Sequence, residues 1–377
     1  MRNRNWQVQA SDGSIHLVPR HCPRHGVTGG SGVGRGASSD HIPLFASLVL
    51  GRSSSTRIQR QGLVSDLQSC GINPRAAELE FDCCEQDLQR LVAQAEVGDG
   101  VLAAGGGKVL DAGKLLAHRL GLPCITVPLS ASTCAGWTAL ANIYSPEGAF
   151  QEDVALDRCP DLLVFDHTLV RQAPPRTLAS GVADALAKWY EASVSSGDST
   201  DGLVQQAVQM ARVLRDQLLI DSPKALDDPA SAAWVRTAEA CALTAGVMGG
   251  LGGSRCRTVA AHAVHNGLTQ LEACHHALHG EKVGFGILVQ LRLEERLGGN
   301  RLAAQAHRQL LPLLRQLGLP VCLDDLGLSQ ASLSQLQEVC IFACREGSDL
   351  HHLPFSVTPG ALLEALVGAA ELSPISL

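Results

Sequence analysis

Short apolar runs alternate with amphipathic segments along the first half of the chain, beginning at Leu44. The run LFASLVLG predicts a buried strand that ends at Gly51, and residues 56–70 predict the helix that follows it. Residues 75–82 predict a second short strand, and residues 85–95 predict a second helix. Strands that alternate with helices at this spacing predict a parallel sheet, whose ligands bind where strand carboxyl ends meet helix N-termini.

Three glycines separate the next predicted strand from its helix, within GVLAAGGGKVLDAGKLLAHRLG, and PCITVPLS predicts a further strand. Glycine lets the backbone come close to a pyrophosphate, and the free N–H groups at the start of the helix face its negative charge. We therefore interpret Gly105, Gly106 and Gly107 as a phosphate-binding turn, with a simple tight turn as the alternative. The spacing is not that of a P-loop.

The hydrophobic pattern changes after Pro174, beyond which the segments predict helices and no convincing strand. A length of 377 residues also favours two domains over one. Residues 1–40 are rich in arginine, glycine and serine and predict a poorly ordered arm or an irregular first hairpin. The expected organisation is this N-terminal arm, an α/β nucleotide-binding domain over residues 41–173, and an α-helical domain over residues 174–377.

Composition excludes several classes of partner. The net charge of -7 and the pI near 6.0 argue against nucleic acid, because phosphate binding needs a basic face. No apolar run approaches the roughly 20 residues that span a bilayer, and the N-terminus lacks the apolar stretch of a secretion signal. The 13 cysteines form no CxxC pair, so we interpret most of them as small buried hydrophobic residues. Their odd number, without a secretion signal, fits a reducing compartment. We expect a cytoplasmic homo-oligomer that acts on a small molecule and contacts no membrane.

Candidate metal ligands lie in the predicted helical half. Residues 259–290 carry five histidines, of which His262 and His279 sit in helix-forming apolar frames. Two imidazoles and one carboxylate make a three-ligand site that keeps an open position for substrate. Asp184, within GVADALAKWYEA, is the candidate carboxylate. The alternative is that the histidines cap helices or satisfy core carbonyls.

Several motifs, in order, carry a resemblance that extends from about Leu44 to the end of the chain. They are GGGKVLDAGK, VPLSASTC, GVADALAKWYEA, AHAVHNGLT, HGEKVGFG and LHHLPFSVTP. In these motifs the chain resembles the iron-containing (group III) alcohol dehydrogenase superfamily and its glycerol dehydrogenase branch. Within that branch, TCAGWTAL, DALAKWYEA, VMGGLGG and HHLPFSVTP are most similar to the NADPH-linked hydroxycarboxylate dehydrogenases.

The resemblance implies a dehydroquinate synthase-like fold, in which a Rossmann-like N-terminal domain and an all-helical C-terminal domain enclose a cleft. It implies a divalent metal, zinc rather than iron, held by Asp184, His262 and His279. It also implies that the nucleotide cofactor lies along Gly105, Gly106, Gly107, Asp111, Ser132, Thr138 and Leu140.

The chemistry that follows from such a site is direct. A metal with three protein ligands acts as a Lewis acid on the alcohol or carbonyl oxygen of the substrate, and the nicotinamide supplies or takes the hydride. No nucleophilic residue is needed. His265, one turn after His262, is a candidate for passing protons, with a supporting or packing role as the alternative.

Two departures from the glycerol-oxidising members point to an anionic substrate. Cys134 stands where those enzymes carry an aspartate, and Lys188 stands where iron-dependent relatives carry a further histidine ligand. Because Lys188 follows Asp184 by four residues, both lie on one helix face, and Lys188 is expected to face the metal cavity. The alternative is a structural ion pair of Lys188 with Asp184 or Glu191.

The first predicted strand leads to Arg52, at the position where NAD-linked relatives carry an acidic residue for the adenine ribose. An arginine followed by three serines suits the 2′-phosphate of NADP(H), through charge-assisted hydrogen bonds. A solvated arginine at a strand end is the alternative.

Taken together, these features predict a metal- and NADP(H)-dependent dehydrogenase that acts on small 2-hydroxy or 2-oxo carboxylic acids. One alternative is a glycerol or vicinal-diol dehydrogenase that uses NAD. The other is a dehydroquinate synthase-like lyase, which would show no net change in the nicotinamide cofactor.

Overall fold

The computed structural model describes residues 6–11, 14–19, 45–50, 57–69, 73–95, 100–253, 256 and 258–372. The first half forms an α/β domain around a seven-stranded sheet, and the second half is helical. The predicted combination of a Rossmann-like N-terminal domain and an α-helical C-terminal domain is confirmed.

Nine strands occur in the described residues: β1 (Trp6–Ser11), β2 (Ser14–Pro19), β3 (Phe45–Leu50), β4 (Asn73–Glu78), β5 (Gly100–Gly105), β6 (Cys124–Pro128), β7 (Leu140–Tyr144), β8 (Phe150–Ala155) and β9 (Leu162–Phe165). The large sheet has the order β1-β2-β9-β6-β5-β3-β4. Its strands from β9 to β4 run parallel, and the antiparallel hairpin β1–β2 joins the edge at β9. Strands β7 and β8 form a separate antiparallel hairpin.

The helices of the described residues are α1 (Arg57–Ser69), α2 (Glu85–Gln94), α3 (Gly107–Leu120), α4 (His167–Val170), α5 (Pro175–Ser196), α6 (Gly202–Asp227), α7 (Ala232–Glu239), α8 (Ala245–Gly252), α9 (Ala260–Leu268), α10 (His279–Arg296), α11 (Arg301–Gln316), α12 (Leu333–Ala343) and α13 (Pro359–Val367). A π-helical turn over Ala240–Thr244 joins α7 to α8. None of these helices is both long and apolar enough to span a bilayer.

Helices cover both faces of the sheet. Leucines of α1 pack against Leu102 and Val127 on one face, and α3 packs on the other, where Gly113 leaves room for Ala103. Helix α3 ends at Gly121, which adopts the left-handed conformation at φ 66°. The close contact of α3 with β5 holds the amino end of the helix at the edge of the sheet where β5 ends.

Three helices of the second domain, α5, α9 and α10, pack around a shared core. Helix α10 lies so close to α5 and α9 that two of its positions admit only glycine. A Cβ at Gly280 would lie 1.8 Å from the carbonyl oxygen of Ser180, and one at Gly286 would lie 2.4 Å from that of Ala261. These close approaches bring side chains from three helices to one point.

The structure differs from the sequence predictions at β4, at the hairpin β7–β8 and at β9, a short strand that the sequence pattern did not indicate. Strand β4 ends at Glu78 rather than at residue 82, because the backbone N–H groups of Glu80 and Phe81 donate to the carboxylate of Asp87 in α2. The hairpin β7–β8 was not predicted, since most of β8 is polar and exposed and lacks hydrophobic alternation.

Candidate metal centre and cofactor cleft

The structure brings together the three predicted metal ligands, one each from α5, α10 and α9. Oδ1 of Asp184 lies 3.4 Å from Nε2 of His262 and 3.7 Å from Nε2 of His279. One ligand atom from each residue lies within 4.8 Å of the other two. Two imidazole nitrogens and one carboxylate oxygen converge here, with no fourth candidate ligand among the described residues, and this set fits a divalent metal such as zinc or iron.

The electrostatic setting of Asp184 keeps this carboxylate ionised. Burial alone would raise its pKa, but Lys188 and the two imidazoles lower it well below the usual range. Burial lowers the pKa of His279, which favours the neutral imidazole that a metal needs.

A carboxylate that the sequence analysis did not assign to the site orients His262. Oε2 of Glu191 lies 2.6 Å from Nδ1 of His262, and Glu191 is completely buried. Burial disfavours a charged imidazole here, yet Glu191 and Asp184 raise the pKa of His262 to about 9. With Nδ1 donating to Glu191, Nε2 is the nitrogen that faces Asp184. Glu191 follows Asp184 by seven residues, or two helical turns, which is the signal that the sequence offered.

Lys188 and Cys134 lie beside the triad, and Lys188 forms with Asp184 the ion pair that stood as the alternative to a substrate-binding role. Nζ of Lys188 is 3.4 Å from Oδ1 of Asp184, one turn along α5, and both side chains are buried. Burial disfavours the ammonium, but the attraction of Asp184 raises the pKa of Lys188. Burial raises the pKa of Cys134, so this position contributes a neutral thiol to the cavity.

His265 lies next to the triad but outside it. Its ring centroid is 4.2 Å from that of His279, and its Nδ1 is 2.8 Å from the side-chain oxygen of Asn266. Burial lowers the pKa of His265 well below its usual value. His265 is therefore a neutral imidazole that contacts the ring of His279 and lines the cavity.

A cavity of about 590 Å³ lies between the two domains and connects the triad to the glycine turn. It is lined by almost all of the predicted site residues: Gly105, Gly106, Gly107, Asp111, Ser132, Cys134, Thr138, Leu140, Asp184, Lys188, His262, His265 and His279. The predicted cofactor residue Arg52 lies outside the described residues.

The glycine turn forms an open cradle at the start of α3. A Cβ at Gly106 would meet nothing closer than Ser130 Oγ at 4.0 Å, so the space before the helix is free. Side chains at the flanking positions are excluded, since a Cβ at Gly105 would lie 2.7 Å from Val109 and one at Gly107 2.8 Å from Thr133. Exposed N–H groups over such a cradle fit the pyrophosphate of a dinucleotide.

Asp111 also lines the cavity, but its carboxylate is occupied by protein groups. Oδ1 lies 2.8 Å from Nζ of Lys114, and Oδ2 accepts a hydrogen bond from the backbone N–H of Asn142 at 3.2 Å. Lys114 in turn donates to the carbonyl oxygens of Thr138 and Leu140. The buried pair therefore attaches the hairpin β7–β8 to α3, so Asp111 has a structural contact in addition to its place on the cavity wall.

The same hairpin connects the two domains. The backbone N–H of Phe150 donates to Thr269 Oγ1 at 2.9 Å, and the side chain of Gln270 donates to the carbonyl of Phe150 at 3.1 Å. Thr269 and Gln270 directly follow α9, the helix that carries His262. The glycine turn and the metal triad are thus joined through one hydrogen-bonded hairpin.

Comparison with known proteins identifies the family. Residues 38–167 match the family model described as iron-containing alcohol dehydrogenase. An uncharacterized oxidoreductase of Synechocystis sp. is 53% identical over 88% of this chain and 87% of its own length. Hydroxycarboxylate dehydrogenase A of Escherichia coli strain K12 is 36% identical over 75% of this chain and 78% of its own length.

The chain belongs to the iron-containing alcohol dehydrogenase family. A crystal structure of a probable glycerol dehydrogenase from Sinorhizobium meliloti 1021 matches 87% of this chain and 91% of its own, with a TM-score of 0.74 and 30% identity. The resemblance to the glycerol dehydrogenase branch is thereby confirmed. As an iron-containing alcohol dehydrogenase, the protein is an NAD(P)-dependent oxidoreductase that acts on CH–OH groups, in a family that binds a divalent metal.

Proposed function

We propose that this iron-containing alcohol dehydrogenase interconverts small 2-oxo and 2-hydroxy carboxylic acids, with NADP(H) as the cofactor and zinc at the triad. The observation that carries the proposal is the buried ammonium of Lys188, which lies 3.4 Å from the metal-ligand candidate Asp184 and lines the cavity. It is accompanied on the cavity wall by the neutral thiol of Cys134.

The charges at the site favour an anion. A divalent metal would be balanced by the carboxylates of Asp184 and Glu191, and Lys188 then leaves one net positive charge in a buried pocket. Charges act strongly where water is excluded. A carboxylate beside the reacting oxygen would be attracted, whereas an aspartate in place of Cys134 would repel it.

Different residues of the chain would bind the metal, the substrate and the cofactor. A divalent metal bound by Asp184, His262 and His279 would supply Lewis-acid polarisation of a substrate oxygen. A nicotinamide nucleotide would supply or accept the hydride. Glu191 fixes the orientation of His262, and Lys188 holds the substrate carboxylate. The glycine turn holds the pyrophosphate, and the interdomain cleft limits the access of water.

The preference for NADP(H) rests on the sequence position of Arg52, two residues after the last residue of β3. A guanidinium at that position favours a 2′-phosphate, through charge-assisted hydrogen bonds worth about 1.5–3 kcal/mol each. We expect NADPH to be used with the higher kcat/KM and Arg52→Asp to reverse the order. Equal kcat/KM with NADPH and NADH in both proteins would contradict the assignment.

One screen tests the proposed function. The zinc-loaded enzyme is assayed with 2-oxo acids, aldehydes and ketones in the reductive direction, and with glycerol and vicinal diols in the oxidative direction, using both cofactors. The proposal expects the highest kcat/KM for a 2-oxo acid with NADPH.

A second candidate is a glycerol or vicinal-diol dehydrogenase that uses NAD. It is supported by the 30% identity to the probable glycerol dehydrogenase from Sinorhizobium meliloti 1021. The highest kcat/KM for a polyol with NAD in the same screen would favour this candidate over the first.

A further inference from the structure

Lys282 differs from the other buried lysines of the described residues. Lys114 and Lys188 each lie beside an aspartate, at 2.8 and 3.4 Å. Lys282 is equally buried, yet no carboxylate oxygen in the described parts of the chain lies within 4 Å of its ammonium. The neighbouring Glu281 is engaged by Arg176, whose Nη2 lies 2.6 Å from its Oε2.

The ammonium of Lys282 has unused hydrogen-bonding capacity. Its Nζ donates to the carbonyl oxygen of Ala277 and, at 3.3 Å, to that of Cys274. An ammonium has three N–H groups, so one remains for a further acceptor. The side chain lines the interdomain cavity, and Lys282 follows His279 by one turn on α10.

This cation is held at an energetic cost. Burial lowers the pKa of Lys282 to about 8, and the nearby cations Lys108 and Arg176 act in the same direction, against Cys274 and Glu281. An uncompensated buried charge destabilises a fold, and such groups concentrate at functional sites. An anion that enters the cavity would supply the missing counter-charge.

We propose that Lys282 is an anion-binding residue of the cleft, which takes a phosphate oxygen of the cofactor or the distal carboxylate of a dicarboxylic 2-oxo acid. Both ligands share the chemistry of an anionic oxygen acceptor, and the second rests on the proposed function. Lys108, which follows the glycine turn, lines the same cavity from the other domain and is paired with Asp82, so this pair does not supply a counter-charge to Lys282.

The test uses zinc-loaded Lys282→Met, Lys282→Arg and, as a matched surface control, Lys224→Met. Lys224 is exposed on α6, outside the cavity. The Kd for NADPH is measured by fluorescence titration without substrate. The kcat/KM is then measured for 2-oxopentanoate and 2-oxopentanedioate, which differ only in the distal carboxylate. Metal content and thermal unfolding of every variant are recorded.

The phosphate assignment expects Lys282→Met to weaken NADPH binding at least 10-fold, with Lys282→Arg restoring most of it. The carboxylate assignment expects an unchanged Kd and a selective loss, at least 10-fold, for the dicarboxylate. In both cases the Tm of Lys282→Met equals or exceeds that of the wild type, because a buried uncompensated charge has been removed.

A change below 2-fold in both measurements, in folded and metal-loaded Lys282→Met, would overturn the proposal. If Lys282→Met does not fold, Lys282→Gln, which keeps a donor for the Ala277 carbonyl, is measured under the same criteria. If no 2-oxo acid is turned over, the proposed function fails while the NADPH titration still decides the role of Lys282.

Discussion

His262 and Glu191 lie side by side in the core of the helical domain, with 2.6 Å between the imidazole Nδ1 and the carboxylate Oε2. The other oxygen of Glu191 accepts hydrogen bonds from the backbone N–H groups of Val259 and His262, at 2.7 and 3.0 Å. One carboxylate thereby joins α5 to the start of α9 and turns Nε2 of His262 toward Asp184.

Glu191→Gln is expected to weaken zinc binding by about 10–100-fold, because a carboxylate behind a ligating histidine raises its basicity and fixes its orientation. The measurement is competition for zinc against a chelator of known affinity. Glu338→Gln, on the exposed surface of α12, serves as the control. A zinc affinity of Glu191→Gln equal to that of the control would show that Glu191 only supports the fold.

His279→Ala is expected to abolish turnover and to change the free energy of unfolding by no more than about 1 kcal/mol, since the side chain is partly exposed and serves an open site. Chelation should also abolish activity, and zinc should restore it only in the wild type. Asp184→Asn is a poorer test, because it leaves the buried Lys188 without its partner. Undiminished turnover by protein shown to be metal-free by elemental analysis would rule out the metal mechanism.

Lys114→Met is expected to lower the free energy of unfolding by about 3–5 kcal/mol, because it strands the buried carboxylate of Asp111. Adding Asp111→Leu should recover part of this loss, although Asn142 then loses its acceptor. Denaturant unfolding of the two variants provides the comparison. If the double variant is no more stable than Lys114→Met, the unpaired carboxylate of Asp111 is not the cause of the lost stability.

Stability should depend on pH through Lys282 in a defined direction. Its pKa is about 8 in the folded protein, against an ordinary value of 10.5, so the unfolded chain binds the proton more tightly. Below pH 8 the ammonium costs up to about 3 kcal/mol of stability, and this cost falls as the pH rises toward 10.5. The advantage of Lys282→Met over the wild type in unfolding free energy should therefore shrink across this window. An advantage that is constant with pH would contradict the shifted pKa.

Features that depend on neighbouring residues could be predicted from the sequence, whereas contacts between residues far apart in the sequence could not. The strand leading to Gly105 and the helix after it were predictable because hydrophobic periodicity and glycine punctuation are local signals. Asp184, His262 and His279 could be selected as candidates because their residue types carry metal chemistry, and the structure brings the three together.

The supporting contacts were not predictable in the same way. The spacing of Glu191 from Asp184 places both on one helix face, but nothing local in the sequence indicates that Glu191 pairs with His262, 71 residues further along the chain. The lack of a counter-charge at Lys282 likewise emerges only from packing in three dimensions. The hairpin β7–β8 escaped prediction because its outer strand carries no hydrophobic pattern.

We infer that Lys188 and Cys134 adapt the site to a substrate carboxylate. Lys188→Thr should lower kcat/KM for a 2-oxo acid by about 10²–10³, because truncating one partner of a buried charge pair costs about 2–5 kcal/mol. Adding Cys134→Asp should lower it further by direct repulsion, and the two effects should not be additive in one cavity. Neutral substrates should be affected far less.

The most direct measurement is the ratio of kcat/KM for a 2-oxo acid to that for a neutral carbonyl analogue, compared between the wild type and the Lys188→Thr, Cys134→Asp double variant at equal zinc content. We expect this ratio to fall by at least about 10²-fold in the double variant. An equal ratio in the two proteins would contradict the proposed preference for a carboxylate. Lys188 would then be only a structural partner of Asp184, and glycerol or vicinal-diol dehydrogenase activity would be the better assignment.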